Sequence, residues 1–249
     1  PVFEKAEKLA KEFNCKAISN YKDLVNDVDA VVIAAPTPFH FEIAQFFLQA
    51  NKHVFLEKPI TETVEQAEEL CRMAAEKKLV LQVGHVERFN PALVSAKGKL
   101  KTPLFIECHR LAPFKPRSMD VDVVLDLMIH DIDVIMSLVN SPVANVSAVG
   151  TPVITKHVDI ANARIEFENK AVANITASRV SQTATRKFRV FQETQYLSID
   201  FGTGELNLTT KTGDWDNFEE ELPLEFESWE LEKADALLAE DQSFIDCIQ

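Results

Sequence analysis

The sequence predicts an α/β protein: an incomplete Rossmann-type parallel sheet followed by an α+β domain with a mostly antiparallel sheet. Up to Gly84, continuous Val-rich runs alternate with segments whose apolar residues have the spacing of a helix face. This alternation is typical of a parallel, doubly wound sheet. Beyond Gly84, one long helical segment lies among short strand-like runs, which indicates an antiparallel sheet with a helix packed on one face. We therefore place a first domain at residues 1–86 and a second domain at residues 87–249.

Helices and strands alternate through the first domain. Thr37-Pro38 supplies an N-cap and a first-turn proline, and Thr63 with Gln66 forms a capping box. Apolar spacing and continuous apolar runs give the other boundaries. In chain order we predict helix 4–13, strand 16–19, helix 22–26, strand 29–35, helix 37–50, a strand that ends at Lys58, helix 63–77 and strand 79–84.

The second domain is rich in strands. Asn90-Pro91 opens a short helix, and turn signals such as Glu168-Asn169-Lys170 separate the strand-like runs. Here we predict helix 90–100, strand 104–111, a long helix at 121–139, and strands 143–149, 158–167, 171–178, 187–191, 196–201 and 205–210.

Composition and charge exclude several classes of protein. The formal charge of the 249-residue chain is −13, and the acidic side chains concentrate between Asp214 and Asp241, where Lys233 is the single base. We predict a solvated face there, and no nucleic-acid partner, because phosphate contacts need a basic patch. No apolar run approaches the ~20 residues of a membrane span. The four cysteines are scattered, which favours reduced thiols in a cytoplasmic protein.

Two segments that could carry catalytic or ligand-binding groups follow strands of the first domain. Glu57-Lys58-Pro59 closes an apolar strand, and ligands of open α/β sheets gather at the carboxyl ends of strands. A partly desolvated lysine there suits proton chemistry, whereas a plain surface lysine is the alternative. The segment 35–40 joins a strand to its helix, where backbone amides favour phosphate or ribose oxygens. Its alternative is an ordinary capped turn.

Two further segments lie beyond the first domain's sheet. Residues 84–91 follow a strand directly. Asp126 and His130 are four residues apart in the predicted long helix, so their side chains share a helix face. A carboxylate beside an imidazole is typical of a general base. A structural Asp–His pair is the alternative; a metal site lacks the His and Cys ligands that would complete it.

Taken together, these segments resemble the glucose–fructose oxidoreductase/inositol dehydrogenase (Gfo/Idh/MocA) family of NAD(P)-dependent sugar oxidoreductases. The shared motifs are Ala-x-Pro-Thr-x-x-His at 34–40, Glu-Lys-Pro at 57–59 and Asp-x-x-x-His at 126–130. The resemblance implies that Lys58, Asp126 and His130 are catalytic and that the Lys58–Pro59 bond is cis. It also implies a cofactor, NAD or NADP, bound by Pro36, Thr37, Pro38, His40, Glu57, Lys58 and Arg88.

The sequence at 84–91, 109–114 and 124–131 is similar to that of bacterial family members that act on UDP-N-acetylglucosamine and oxidise its 3-hydroxyl. Arg110, Lys115 and Arg117 suit a diphosphate. Their alternative role is solubility or ion pairing with Asp120 and Asp122. The resemblance implies a substrate site made by His85, Arg88, Asn90, Arg110, Arg117 and His130.

The chain departs from the family pattern at its start. The opening strand and the Gly-rich turn that carries the pyrophosphate are absent, and Gly202-Thr203-Gly204 lies among strand signals and is rejected as a substitute. In the strand order 3-2-1-4-5-6 this leaves a gap beside strand 29–35, with unpaired edge groups and exposed apolar side chains. We therefore expect the chain to be a fragment of a longer gene product.

The function predicted from the sequence is hydride transfer between a sugar hydroxyl carbon and nicotinamide. We predict C3 of UDP-N-acetylglucosamine or a related nucleotide sugar as the reacting carbon. The alternatives are a non-catalytic sugar-binding homologue without dinucleotide binding, and a dehydrogenase of inositol or simple sugars. An open sheet with one helix-covered face leaves another face to bury. A homodimer or homotetramer through the second-domain sheet is therefore predicted, with no membrane partner.

Overall fold

The computed structural model describes residues 2–116, 121–213, 223–231 and 234–249. The chain forms two compact units, one of residues up to Gly84 together with Asp241–Gln249, and one of His85–Glu240. We predicted from the sequence that residues 241–249 belong to the second domain, whereas the structure groups them with the first unit. The Phe244 ring packs edge-on against Phe55, with 5.7 Å between ring centroids, which joins this terminal segment to the first unit's sheet.

The N-terminal unit is a parallel sheet with helices. Its strands run side by side in the order β1-β2-β3. Phe47 and Leu48 of the second helix pack with Val54 and Leu56 of the middle strand in an apolar core. The elements are α1 (Phe3–Glu12), β1 (Ala30–Ile33), α2 (His40–Gln49), β2 (His53–Glu57), α3 (Val64–Lys77) and β3 (Leu81–Gly84).

The strand predicted at residues 16–19 is wrong, because this segment has no regular structure. A strand is stabilised by a neighbour in a ladder, and no described segment lies alongside residues 16–19 to provide one. Among the described residues β1 has β2 on one side and no strand on the other. Val32 of β1 is 58% exposed and Phe13 after α1 is 69% exposed. The exposed apolar edge predicted beside β1 is thus present.

The C-terminal unit is built on an eight-stranded sheet of order β11-β10-β9-β8-β4-β7-β6-β5. Among the described strands of this sheet, β4 and β7 pair in parallel and all other neighbours pair antiparallel, so the mostly antiparallel sheet predicted from the sequence is confirmed. The elements are α4 (Pro91–Lys97), β4 (Phe105–Leu111), α5 (Ile129–Leu138), β5 (Val143–Thr151), β6 (Ile160–Phe167), β7 (Val172–Ser178), β8 (Thr185–Phe191), β9 (Gln195–Asp200), β10 (Glu205–Lys211), β11 (Leu224–Glu230) and α6 (Ala236–Ile248), which continues into the first unit.

One face of this sheet carries the core of the unit. Along β4 every second residue is buried, and Ile106 and Cys108 pack in one cluster with Val134 and Ile135 of α5. The residues between them, such as His109, are half-buried on the opposite face. Alternation along each strand therefore separates a helix-covered face from an open one.

The strand β11 was not predicted, because it lies in the acidic stretch that was read as a solvated face. It pairs with β10 over its whole length, and its acidic side chains are exposed. Trp229 packs against the core and anchors this edge strand. Residues 214–222 and 232–233 of the same stretch, including Lys233, lie outside the described residues.

Candidate active site

The loops after β1 and β2 are joined by His40. Residues Thr37–Phe39 form a 3₁₀ turn that begins after Pro36 and leads into α2. His40 is 1% exposed, and its Nδ1 and Nε2 atoms lie 2.9 Å from the Pro59 carbonyl oxygen and 2.7 Å from the Ala35 carbonyl oxygen. A ring with so little exposed surface positions the two loops. This corrects the predicted direct contact of His40 with the cofactor.

Glu57 and Gly84 are neighbours at the carboxyl ends of β2 and β3. A Cβ atom at Gly84 would lie 3.0 Å from Glu57 Oε2 and 3.1 Å from Phe55 Cε1, so a side chain at this position would crowd the carboxylate and require it to shift by a few tenths of an ångström. The backbone amide of Lys58 donates to the same Oε2 atom at 3.3 Å. The Lys58–Pro59 bond is cis, as the resemblance implied. These contacts fix a carboxylate beside the half-buried Lys58.

These strand ends fit the nicotinamide side of a dinucleotide. Ligands of parallel sheets bind beyond the carboxyl ends of strands, and here those ends carry the turn at Thr37 and the Glu57–Lys58 pair. The side chain missing at Gly84 opens space for the carboxylate, which is an acceptor suited to ribose hydroxyls. Gly202 and Gly204 lie in the turn between β9 and β10. A phosphate loop would instead join a strand to a helix.

The helix that carries Asp126 and His130 is not a uniform α-helix. Residues Val124–Met128 form a π-helical turn, and the Ile129 amide donates to the Val124 carbonyl five residues earlier. The α-helical part, α5, begins at Ile129. π-Turns inside helices recur at functional sites because they redirect side chains on one side of the helix. Asp126 therefore lies in the π-turn and His130 in the first turn of α5, and both are half-buried.

Asp133 of α5 binds the segment that follows β3. Arg88 donates to Asp133 through Nε at 2.7 Å and also through Nη2. His85 Nε2 is 3.7 Å from the same carboxylate. Hydrogen bonding to Asp133 raises the pKa of the half-exposed Arg88. Asn90 caps α4 by accepting from the Ala92 amide. The structure thus brings together His85 and Arg88, two predicted binding residues, around one carboxylate that the sequence reading did not single out.

Arg110 is not a diphosphate ligand. It is 4% exposed, donates to both Asp131 oxygens at 2.9 Å, and donates to Glu87 at 2.9 Å. Burial alone would lower the pKa of Arg110, but the two carboxylates raise it above its ordinary value. Its donors are therefore committed to a buried ion-pair cluster that holds α5 against β4, which corrects the predicted substrate role. Arg117, Ser118, Met119 and Asp120 lie outside the described residues.

Asp126 shares a cavity of about 110 Å³ with basic side chains of the same unit. Lys115 lies in the loop after β4, Arg179 follows β7, and Arg186 is near the start of β8. Sequence reasoning singled out Lys115 but missed Arg179 and Arg186. Neither arginine belongs to a local motif, and only the sheet brings them next to Asp126.

Arg179 is held by Asp159, a fully buried carboxylate. Arg179 donates through Nε to Asp159 at 2.8 Å and through Nη1 to the Val121 carbonyl at 2.7 Å. Asp159 also accepts from the backbone amides of residues 153, 154 and 155. Burial would raise the pKa of Asp159, but these amides and Arg179 hold it well below its ordinary value. The pair connects the loop after β5 with the approach to the Asp126 helix.

Two negative findings apply to the described part of the chain. No group of three or more His, Cys, Asp or Glu side chains is placed to hold a metal ion. No helix in these ranges is long and apolar enough to cross a bilayer.

Comparison with known proteins identifies the family. A family model described as "Oxidoreductase family, NAD-binding Rossmann fold" matches residues 1–85, and the GFO/IDH/MocA C-terminal domain matches residues 95–198. The chain belongs to the Gfo/Idh/MocA family. The family assigned by resemblance is thereby confirmed, as is the enzyme class, an oxidoreductase. The predicted cofactor, NAD or NADP, is confirmed as a nicotinamide dinucleotide, and the matching family model is described as NAD-binding.

Similar proteins include the UDP-N-acetylglucosamine 3-dehydrogenase of Acidithiobacillus ferrooxidans, which is 38% identical over 98% of this chain and 78% of its own length. A solved structure of that enzyme aligns with a TM-score of 0.91 over 99% of this chain and 78% of that one. Inositol 2-dehydrogenase 1 of Mycolicibacterium vanbaalenii is 35% identical over 59% of this chain and 46% of its own length. The Gfo/Idh/MocA fold therefore extends over nearly the whole chain.

Proposed function

We propose that this oxidoreductase oxidises the 3-hydroxyl of UDP-N-acetylglucosamine, or of a closely related nucleotide sugar, to a ketone. The observation that carries the proposal is the 38% identity over 98% of the chain to an enzyme with that activity. The candidate catalytic groups Lys58, Asp126 and His130 support it, because oxidation of an alcohol needs a proton acceptor and a cation near the developing alkoxide.

His130 acts as the general base in this proposal. A neutral imidazole accepts the hydroxyl proton, and a neighbouring carboxylate stabilises the imidazolium that results. Asp126 supplies that carboxylate from the π-turn, one helical turn before His130. The buried cluster of Arg110 with Asp131 and Glu87 holds the adjacent part of α5 in place.

Lys58 stabilises the alkoxide that forms as the proton leaves. An ammonium group donates three hydrogen bonds and acts as a compact positive charge. Its position directly after β2, with its own amide bonded to Glu57, fixes the backbone from which the side chain extends. NAD, when bound, supplies the hydride acceptor. Thr37, Pro38 and Glu57 would hold its nicotinamide ribose, and Arg88 stays a proposed cofactor or substrate contact.

An inositol or simple-sugar dehydrogenase is the second candidate, because the inositol 2-dehydrogenase of Mycolicibacterium vanbaalenii is 35% identical over 59% of the chain. The nucleotide-sugar enzyme matches at higher identity and over more of the chain. A non-catalytic homologue is not retained, because the chain belongs to an oxidoreductase family and keeps Lys58, Asp126 and His130.

The test is a comparison of substrates. NADH formation is measured with UDP-N-acetylglucosamine, N-acetylglucosamine and myo-inositol, each with NAD. We expect the nucleotide sugar to give the highest kcat/KM, and mass spectrometry to detect a 3-keto product. Comparable turnover of myo-inositol, with none of the nucleotide sugar, would refute the proposal in favour of the second candidate.

Assembly and location belong to the same proposal. The open face of the C-terminal sheet carries half-buried side chains such as Thr176 and His109, a surface suited to a homodimer or homotetramer. All four cysteines are free thiols, which supports a cytoplasmic location.

A further inference from the structure

The cavity beside Asp126 is too small for a whole nucleotide sugar. Its volume is about 110 Å³, whereas sites for drug-sized ligands are usually ~300–1,000 Å³. It is lined by the loop after β4, by Asp126 and Leu127 of the helix, and by residues 179, 184 and 186. A space of this size, with a candidate catalytic carboxylate in its wall, is suited to one polar group of the substrate.

Positive charge dominates the wall of this cavity. Three of its charged side chains are basic and one, Asp126, is acidic. Arg179 is buried and bonded to Asp159, the Val121 carbonyl and Thr155 Oγ1, so its charge is largely compensated. Lys115 and Arg186 are exposed. These two side chains are therefore the cations that an entering anion would meet.

Arg186 is positioned by the sheet rather than by a loop. It lies opposite Arg110 in the β4–β8 pair, so the two side chains project from the same face. Arg110 is occupied by Asp131 and Glu87, and the charge of Arg186 also acts on Asp131. Two arginines side by side thus have different roles: one is buried in an ion-pair cluster, and the other is exposed at the cavity.

We propose that Arg186 and Lys115 form the subsite for the diphosphate of the substrate. The inference rests on the proposed function, because it names the substrate group that this cavity accepts. In a sugar with its diphosphate on C1, the carbon that carries the diphosphate is only two ring bonds from C3, and the first phosphorus follows two bonds further on through the C1 oxygen. A phosphate subsite must therefore lie close to the residues that handle the 3-hydroxyl, and this cavity has Asp126 in its wall. An inositol has no anionic group for these cations.

The test uses Arg186→Gln and Lys115→Gln, with Lys170→Gln as a matched control. Lys170 is an exposed lysine of the same unit, in the turn before β7, whereas Arg179 follows the other end of that strand. Arg186→Lys keeps the charge and controls for loss of fold. With saturating NAD present, calorimetry measures the Kd of inorganic pyrophosphate and of UDP for each protein, and a kinetic assay measures kcat and KM for UDP-N-acetylglucosamine.

We expect Arg186→Gln to raise the Kd of pyrophosphate and of UDP by roughly 10- to 100-fold, the effect of losing a charged hydrogen bond. KM should rise similarly while kcat changes less than threefold. Lys115→Gln should act in the same direction, Arg186→Lys should retain most of the affinity, and Lys170→Gln should change nothing. Both affinities should fall with added salt.

Two outcomes would overturn the subsite. One is that pyrophosphate and UDP bind Arg186→Gln and Lys170→Gln equally well; the other is that the unsubstituted protein binds neither probe. Failure of the proposed function gives a different result: no oxidation of the nucleotide sugar, although pyrophosphate binds and depends on Arg186. A phosphate subsite that serves another phosphorylated sugar would then be retained, and the UDP sugar rejected.

Discussion

At the scale of single residues, some basic side chains of the C-terminal unit form buried ion pairs that stabilise the fold, and others are exposed at a candidate binding site. Arg110 and Arg179 are buried and bonded to carboxylates, whereas Lys115 and Arg186 remain exposed at a cavity. Sequence alone cannot make this division, because the carboxylates that bind Arg110 are 21 and 23 residues away. Only the pairing of β4 with the helix layer brings those side chains together.

The first residue-scale prediction concerns the proposed base and the proposed cation. His130→Asn and Lys58→Met should each lower kcat for the nucleotide sugar by ~10²–10⁴-fold, the usual contribution of a positioned proton-transfer group. Both side chains are half-buried, so the circular dichroism spectrum and the melting temperature should change little. Full activity in either variant would remove that residue from the mechanism.

The second residue-scale prediction concerns Asp159 and pH. Because the folded pKa of Asp159 lies below its unfolded value, its contribution to stability is present above about pH 4 and is lost as pH falls. Asp159→Asn leaves the buried Arg179 without its carboxylate and should cost about 3–5 kcal/mol at about pH 7.

Urea unfolding at about pH 7 and about pH 3 measures this difference, with the exposed Glu168→Gln as control. The difference in the free energy of unfolding between the unsubstituted protein and Asp159→Asn should be smaller at the lower pH. The control should unfold with almost the same free energy as the unsubstituted protein at both pH values. A difference for Asp159→Asn that is equal at both values would show that Asp159 is not the acid-sensitive group.

At the scale of elements, most strands could be predicted from the sequence, whereas one edge strand and one π-turn could not. Strands β4 to β10 were predicted from strand-like runs that turn signals separate. Strand β11 was missed because three of its seven residues are Glu and one is Ser, and because burial does not impose a pattern on an edge strand. The π-turn at Val124–Met128 was also missed, since the spacing of apolar residues there is equally compatible with an α-helix.

The element-scale prediction concerns the two loops that His40 joins. His40→Leu removes the ring atoms that face the Ala35 and Pro59 carbonyls, and an unsatisfied buried acceptor costs about 1–3 kcal/mol. We expect lower stability and a higher KM for NAD, with Phe39→Leu at the neighbouring exposed position as control. An unchanged KM for NAD in a folded His40→Leu protein would exclude the positioning role.

At the scale of the whole molecule, the open face of the eight-stranded sheet is the surface that an oligomer would bury. Thr176 lies on this face in β7, where it accepts a hydrogen bond from Asn162 at 2.9 Å. When a symmetric dimer covers such a face, identical side chains of the two subunits come near one another. A charge added to this face is therefore repelled by the same charge on the other subunit.

Thr176→Arg should therefore shift the protein toward the monomer in light scattering coupled to size-exclusion chromatography. Thr102→Arg, at an exposed position before β4, is the control and should leave the mass unchanged. A mass that is the same for both variants and for the unsubstituted protein would place any subunit interface elsewhere.

The central claim is that hydride leaves C3 of a nucleotide sugar for nicotinamide, and isotope transfer tests it directly. UDP-N-acetylglucosamine deuterated at C3 is oxidised with unlabelled NAD, and the reduced cofactor is analysed by mass spectrometry. Hydride transfer from C3 should place one deuterium in each NADH formed, and the reaction should be slower than with the unlabelled sugar. NADH that forms without deuterium would contradict this claim, because the hydride would then come from another carbon.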